Sequence, residues 1–139
     1  MEKKINSLEN RKESYKTSSN VLISFKYAFK GISYVLKTSR NFKIQLIFAV
    51  TSLMIGFLLQ ISLTNYIILI STIMSVLILE ILNTSIESIV DLVVKKEFSI
   101  LAKIAKDPSE GAVLLASINS VIIALYIFVP KIKFLFESL

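Results

Sequence analysis

Carboxylate and amide side chains recur within an otherwise apolar segment, residues 79–92 (LEILNTSIESIVDL). Their spacing of i, i+3, i+7 and i+11 places them on one face of an α-helix: Glu80, Asn83, Glu87 and Asp91. The residues before Glu80 are almost wholly apolar, as at the end of a membrane span. Ionisable groups at membrane depth cost about 2.5–3.5 kcal/mol each and usually have a function. The stripe could therefore bind a metal, a proton or a substrate.

The composition indicates a membrane protein and limits the available chemistry. Hydrophobic residues make up 54% of the 139 residues, and the mean hydropathy is +0.70. The chain has no cysteine and no histidine, so acid–base catalysis would fall to carboxylates, lysine or tyrosine. A metal would take oxygen ligands, which favours Mg²⁺ over Zn²⁺. The net charge of +6 indicates contact with anionic lipid headgroups or a phosphorylated substrate, and no nucleic-acid partner is predicted.

The order of polar and apolar residues predicts an all-α membrane protein. An amphipathic helix with a basic face is expected to lie on the membrane surface, and three transmembrane helices follow. Nineteen apolar residues make a helix of about 29 Å, which is enough to cross a bilayer core. The predicted parts are a flexible cytoplasmic tail at 1–19 and a single domain at 20–139, with the surface helix at 20–38 and spans at about 44–63, 66–94 and 111–129. Pro130 is expected to end the third span.

The basic residues predict the orientation in the membrane. Ten of the sixteen Lys and Arg residues precede the first predicted span, none lies in the first loop, and four lie in the second. Because basic loops stay in the cytoplasm, the N-terminus and second loop are expected to be cytoplasmic and the C-terminus outside. The expected location is the inner (plasma) membrane. The carboxylate stripe would then open toward the compartment that contains ATP.

Two further groups of polar residues accompany the third predicted span. Lys106 and Asp107 stand just before it, with residues 108–110 expected to begin the helix. A cation beside a helix N-terminus suits a phosphate, although charged residues at a span boundary also serve as interface anchors. Asn119 lies within the span, where it could contact a lipid substrate or bridge two helices by a hydrogen bond.

Three segments resemble the bacterial integral-membrane diacylglycerol kinase family, which includes the undecaprenol kinases. They are EILNTSIESIVDL (80–92), AKIAKDPSEGAVLL (102–115) and FKYAFKGISYVLKTSRNFKIQ (25–45). The resemblance covers roughly residues 20–133. It implies a homotrimer of three-span subunits that transfers the γ-phosphoryl group of MgATP to the hydroxyl of a membrane lipid alcohol. Diacylglycerol, giving phosphatidic acid, is the preferred acceptor, and undecaprenol is the alternative.

The resemblance also implies roles for individual residues. Glu80 would be the catalytic base at the lipid hydroxyl, and Glu87 would hold the metal on ATP. The residues that would contact the nucleotide are Asn83, Lys106 and Asp107.

The sequence departs from the family pattern at two positions. Ser39 stands where the family usually has a glutamate that helps to bind metal, and Glu110 stands where the family tends to have a small residue. Metal binding would then rest more on Glu87 and nucleotide oxygens. Ser39→Glu is expected to tighten it unless Arg40 or Lys43 pairs with the new carboxylate or Glu110 already supplies the ligand.

Two alternatives belong to other functional classes. The carboxylate stripe could serve as a proton or cation relay in a small transporter or channel subunit. The chain could also be a non-catalytic paralogue, which the serine at position 39 would fit. The three glycines are widely separated, and no phosphate-binding glycine-rich loop of the P-loop type occurs.

Overall fold

The computed structural model describes residues 21–95 and 97–137, and the predicted tail at 1–19 lies outside them. All regular structure in these residues is helical, as predicted. The helices, numbered in chain order, are α1 (Val21–Thr38), α2 (Arg40–Leu58), α3 (Leu63–Val93) and α4 (Ile100–Glu137). Helices α2, α3 and α4 are each long and apolar enough to cross a membrane. The described residues divide into two compact units between Tyr34 and Val35, so most of α1 belongs to the first.

Helix α1 has the amphipathic character that the sequence predicts. Its aromatic side chains Phe25 and Phe29 are exposed, as is usual for a helix whose apolar face meets lipid. The Lys30 ammonium lies 5.7 Å from the centre of the Tyr27 ring, within range of a cation–π interaction. The location of α1 on the membrane surface stays a prediction.

Helices α2 and α3 form a tight hairpin. Helix α2 ends in a Schellman motif, in which the Ile61 N–H donates to the Gly56 carbonyl and the Gln60 N–H donates to the Phe57 carbonyl, both at 3.2 Å. Gln60 takes the left-handed conformation that this motif requires, with φ of 49°. The Ser62 hydroxyl then caps α3 by accepting a hydrogen bond from the Asn65 N–H at 3.3 Å.

A small apolar core lies at the hairpin end of the bundle. Ile61 and Leu69 pack there against Ile127 of α4, and all three are buried. Much of the remaining apolar surface of the three long helices is exposed, which suits lipid contact. The buried polar residues of the described chain, Glu80 and Asn83, lie farther along α3.

Helix α4 differs from the prediction for the third span. It was expected to begin at residues 108–110 and to stop before Pro130, but it begins at Ile100 and contains both Pro108 and Pro130. The Ser99 hydroxyl caps the true start by accepting from the Ala102 N–H at 3.4 Å. A proline removes one backbone hydrogen bond, and contacts with α3 hold the helix near both sites.

The earlier start of α4 changes the environment of Lys106 and Asp107. Both lie in the second turn of the helix rather than before its first turn. The free N–H groups of a helix belong to its first four residues. The expectation that a helix begins just after Lys106 is therefore wrong, and phosphate binding by Lys106 stays a prediction.

Candidate active site

The Glu80 carboxylate lies on α3 and is held from the start of α2. Its side chain is almost fully enclosed, with the residue 2% exposed. The Ser39 hydroxyl donates to Glu80 Oε1 at 2.7 Å, and Gln45 Nε2 donates to Glu80 Oε2 at 3.2 Å. An ionised carboxylate has acceptor lone pairs on both oxygens, so two donors on opposite oxygens suit it well. Both oxygens are thus held by one neighbouring helix.

Asn83 lies one turn farther along α3 and connects α4 to Glu87, the second carboxylate of the stripe. This residue is 5% exposed. Its Nδ2 donates to Glu87 Oε1 at 3.1 Å, and its Oδ1 accepts from the Ser109 hydroxyl of α4 at 2.5 Å. The same hydroxyl lies 2.8 Å from the Lys106 carbonyl, so its single hydrogen is shared between two acceptors. The Asn83 amide therefore connects Ser109 of α4 to Glu87.

Lys106 joins the end of the stripe from α4. Its Nζ forms an ion pair with Asp91 Oδ1 at 2.5 Å, and the two side chains are 28% and 43% exposed. Glu87 and Glu110 also interact electrostatically with the Lys106 ammonium. A cation accessible to solvent thus lies beside the accessible end of a carboxylate stripe, where it could meet a phosphate.

The structure gathers most of the residues that the sequence singled out. Glu80, Asn83 and Glu87 share one face of α3, and Lys106 reaches that face from α4. Asp107 is exposed, whereas Lys106 and Ser109 of the same part of α4 form hydrogen bonds to α3. Asn119 is also exposed on α4.

Three contacts in this site were not foreseen from the sequence. Gln45 is one of the few polar residues within the first predicted span, and Ser109 belongs to the expected helix start at residues 108–110. Ser39 was recognised as unusual, but its bond to Glu80 was not anticipated. A polar residue inside an apolar span was the signal for Gln45.

The donor set limits how a metal could bind. In the described residues, no three acidic side chains lie close enough together to hold an ion. Mg²⁺ is commonly bound through one or two carboxylates together with substrate phosphates and water. Glu87, a single carboxylate beside the Lys106 cation, fits that arrangement. The site suits a metal that arrives with a nucleotide rather than one enclosed by protein ligands.

A comparison with protein families identifies the class to which this site belongs. The family model described as "Prokaryotic diacylglycerol kinase" matches residues 26–128, which include all the residues of the stripe. The chain belongs to this family. The prokaryotic diacylglycerol kinase family comprises membrane lipid kinases, so the chain is an ATP-dependent lipid kinase rather than a transporter subunit.

Individual members of the prokaryotic diacylglycerol kinase family are similar over most of the chain. The diacylglycerol kinase of Synechocystis sp. is 42% identical over 122 residues, which cover 88% of this chain and 70% of the relative. The undecaprenol kinase of Bacillus subtilis is 41% identical over 109 residues, covering 78% and 88%. The diacylglycerol kinase of Escherichia coli K12 is 33% identical over 96 residues, covering 69% and 78%.

Proposed function

We propose that the protein phosphorylates diacylglycerol to phosphatidic acid, with MgATP as the donor and Glu80 as the catalytic base. The observation that carries the base assignment is the enclosed Glu80 carboxylate with a donor on each oxygen. Similarity to the diacylglycerol kinase of Synechocystis sp. supports the acceptor. Undecaprenol is the second candidate, since the Bacillus subtilis undecaprenol kinase is 41% identical.

In the proposed reaction, the Glu80 carboxylate accepts the proton of the lipid hydroxyl. The freed oxygen attacks the γ-phosphorus of ATP, the new O–P bond forms, and the bond to the β-phosphate oxygen breaks to release ADP. Each Glu80 oxygen accepts one protein hydrogen bond and keeps a further lone pair for the substrate. A positioned base and positive charge around the transferred group are the main requirements of phosphoryl transfer.

The nucleotide would bind beside the part of the stripe that follows Glu80. Glu87 lies seven residues after Glu80, about 10 Å along the helix. Lys106 would offer its ammonium to the phosphates, and Asn83 would hold Glu87 in place. Mg²⁺, when bound with the nucleotide, neutralises charge on the phosphates, and Glu87 would be its protein ligand. Asp107, exposed on α4, would contact the nucleotide from outside this cluster.

The proposed setting is the inner (plasma) membrane, with the N-terminus in the cytoplasm and the C-terminus outside. Exposed apolar side chains on all three long helices support contact with lipid or with other subunits, and a homotrimer is the proposed assembly. The lysines of α1 would contact anionic lipid headgroups. Asn119 on α4 is the proposed contact for the lipid substrate.

The test is Glu80→Gln, which removes the base and keeps the side-chain size. We expect turnover to fall about 10²–10⁴-fold, measured with labelled ATP and either diacylglycerol or undecaprenol in mixed micelles. The matched control is Glu137→Gln, the same change at an exposed position near the end of α4. Near-normal turnover of inserted Glu80→Gln would refute the base assignment. The ratio of wild-type rates on the two lipids decides the acceptor.

A further inference from the structure

The Ser39 hydroxyl takes part in two hydrogen bonds, one as acceptor and one as donor. It accepts a hydrogen bond from the Phe42 N–H at 3.0 Å, which makes Ser39 the N-cap of α2. It also donates to Glu80 Oε1 at 2.7 Å. The first turn of α2 and the Glu80 carboxylate are therefore joined through a single oxygen atom.

Gln45 approaches the same carboxylate from the second turn of α2. Its Nε2 donates to Glu80 Oε2 at 3.2 Å. Its other amide atom, Oε1, is buried and has no hydrogen-bond partner among the described residues. A buried acceptor without a donor is unfavourable. The hydrogen bond from Nε2 to Glu80 is therefore the favourable polar interaction that Gln45 makes in this site.

We propose that Ser39 and Gln45 are positioning residues that hold the Glu80 carboxylate in the orientation in which it accepts the proton, and that Ser39 is not a metal ligand. This inference rests on the proposed role of Glu80 as the base. Donors on both oxygens restrict rotation of the carboxylate, so its remaining lone pairs have a fixed direction. Small errors in the placement of a catalytic group reduce rates strongly.

Both donors to Glu80 are uncharged, so neither adds a negative charge beside the buried carboxylate. A glutamate at position 39 would lose the hydroxyl hydrogen that Glu80 accepts. It would also bring a second negative charge toward a carboxylate that is 2% exposed, where water screens repulsion poorly. Ser39→Glu is therefore expected to lower turnover without lowering the Mg²⁺ requirement, the reverse of the expectation from the family pattern.

The experiment compares kcat with the KM values for ATP and lipid in five variants, of which Ser39→Glu is also titrated with Mg²⁺. We expect Ser39→Ala to lower kcat about 10- to 100-fold with little change in either KM. Ser39→Thr, which keeps a hydroxyl and a capping oxygen, should restore most of the rate. Gln45→Met, of similar length but without a donor, should lower kcat and leave the α2 cap intact. Ser62→Ala is the matched control, because it removes the N-cap of α3 at the hairpin end and should leave kcat unchanged.

The outcomes separate this inference from the proposed function. Normal kcat in both Ser39→Ala and Gln45→Met would overturn the positioning role while an inactive Glu80→Gln would leave the base assignment standing. Normal turnover of Glu80→Gln would instead remove the base assignment itself. A lower Mg²⁺ requirement in Ser39→Glu, at undiminished kcat, would show that position 39 meets the metal and would also overturn the inference. If Ser39→Ala fails to fold, Gln45→Met decides the question, since its hydrogen bond is independent of the cap.

Discussion

The hydrogen bond between Ser109 and Asn83 offers a direct measure of how α4 is held against α3. Ser109→Ala removes the donor and leaves the Asn83 Oδ1 acceptor in a site where the residue is 5% exposed. Buried polar groups that lose a partner cost about 1–3 kcal/mol, whereas single hydrogen bonds between membrane helices average about 0.6 kcal/mol. Because the Ser109 hydrogen is shared with the Lys106 carbonyl, we expect Ser109→Ala to lower the free energy of unfolding by about 1–2 kcal/mol.

The assay is reversible unfolding in mixed micelles, arranged as a double-mutant cycle of Ser109→Ala and Asn83→Ala. Residues in direct contact should show a coupling energy of about 0.5 kcal/mol or more. Ser117→Ala is the matched control, since within the described residues the Ser117 hydroxyl bonds to the Val113 carbonyl of its own helix. Coupling indistinguishable from zero, or an equal loss in Ser117→Ala, would refute the assigned link between the helices.

Two further predictions concern the metal and the hairpin. Glu87→Gln should raise the Mg²⁺ concentration needed for half-maximal rate, because Mg²⁺ prefers a charged oxygen ligand; titrations that match the wild type would make Glu87 structural only. Gln60→Gly should raise the stability by about 1 kcal/mol, because glycine adopts the left-handed conformation of this position without the steric cost of a side chain. Unfolding in detergent measures this gain, and equal or lower stability would contradict the assigned strain.

The sequence predicted those features that depend on one helix alone. Helical periodicity placed Glu80, Asn83 and Glu87 on one face because all three belong to α3, and the family comparison confirms the resemblance seen in that segment. Contacts between helices were harder to predict. The pairing of Gln45 with Glu80 and of Ser109 with Asn83 depends on how far one helix slides along another, which periodicity does not encode.

The prolines of α4 show that local sequence rules do not always predict where a helix begins and ends. Local rules place proline at a helix start or just beyond a helix end. Pro108 and Pro130 instead lie inside α4, where neighbouring residues are held by α3 through Ser109 and Ile127. Tertiary contacts outweigh the loss of single backbone hydrogen bonds. As a result, Lys106 and Asp107 lie within α4 and not before its first turn.

The distribution of polar contacts has a consequence for which helices each part of the site requires. Both donors to Glu80 precede it in sequence, so the hairpin of α2 and α3 already contains every hydrogen bond that the Glu80 carboxylate makes within the described residues. These two hydrogen bonds reduce the cost of burying the carboxylate without any contribution from α4. Asn83, by contrast, receives its donor from Ser109 only when α4 arrives. The hydrogen bonds of Glu80, the proposed base, can thus form with the α2–α3 hairpin alone, whereas the hydrogen bond between Asn83 and Ser109 also requires α4.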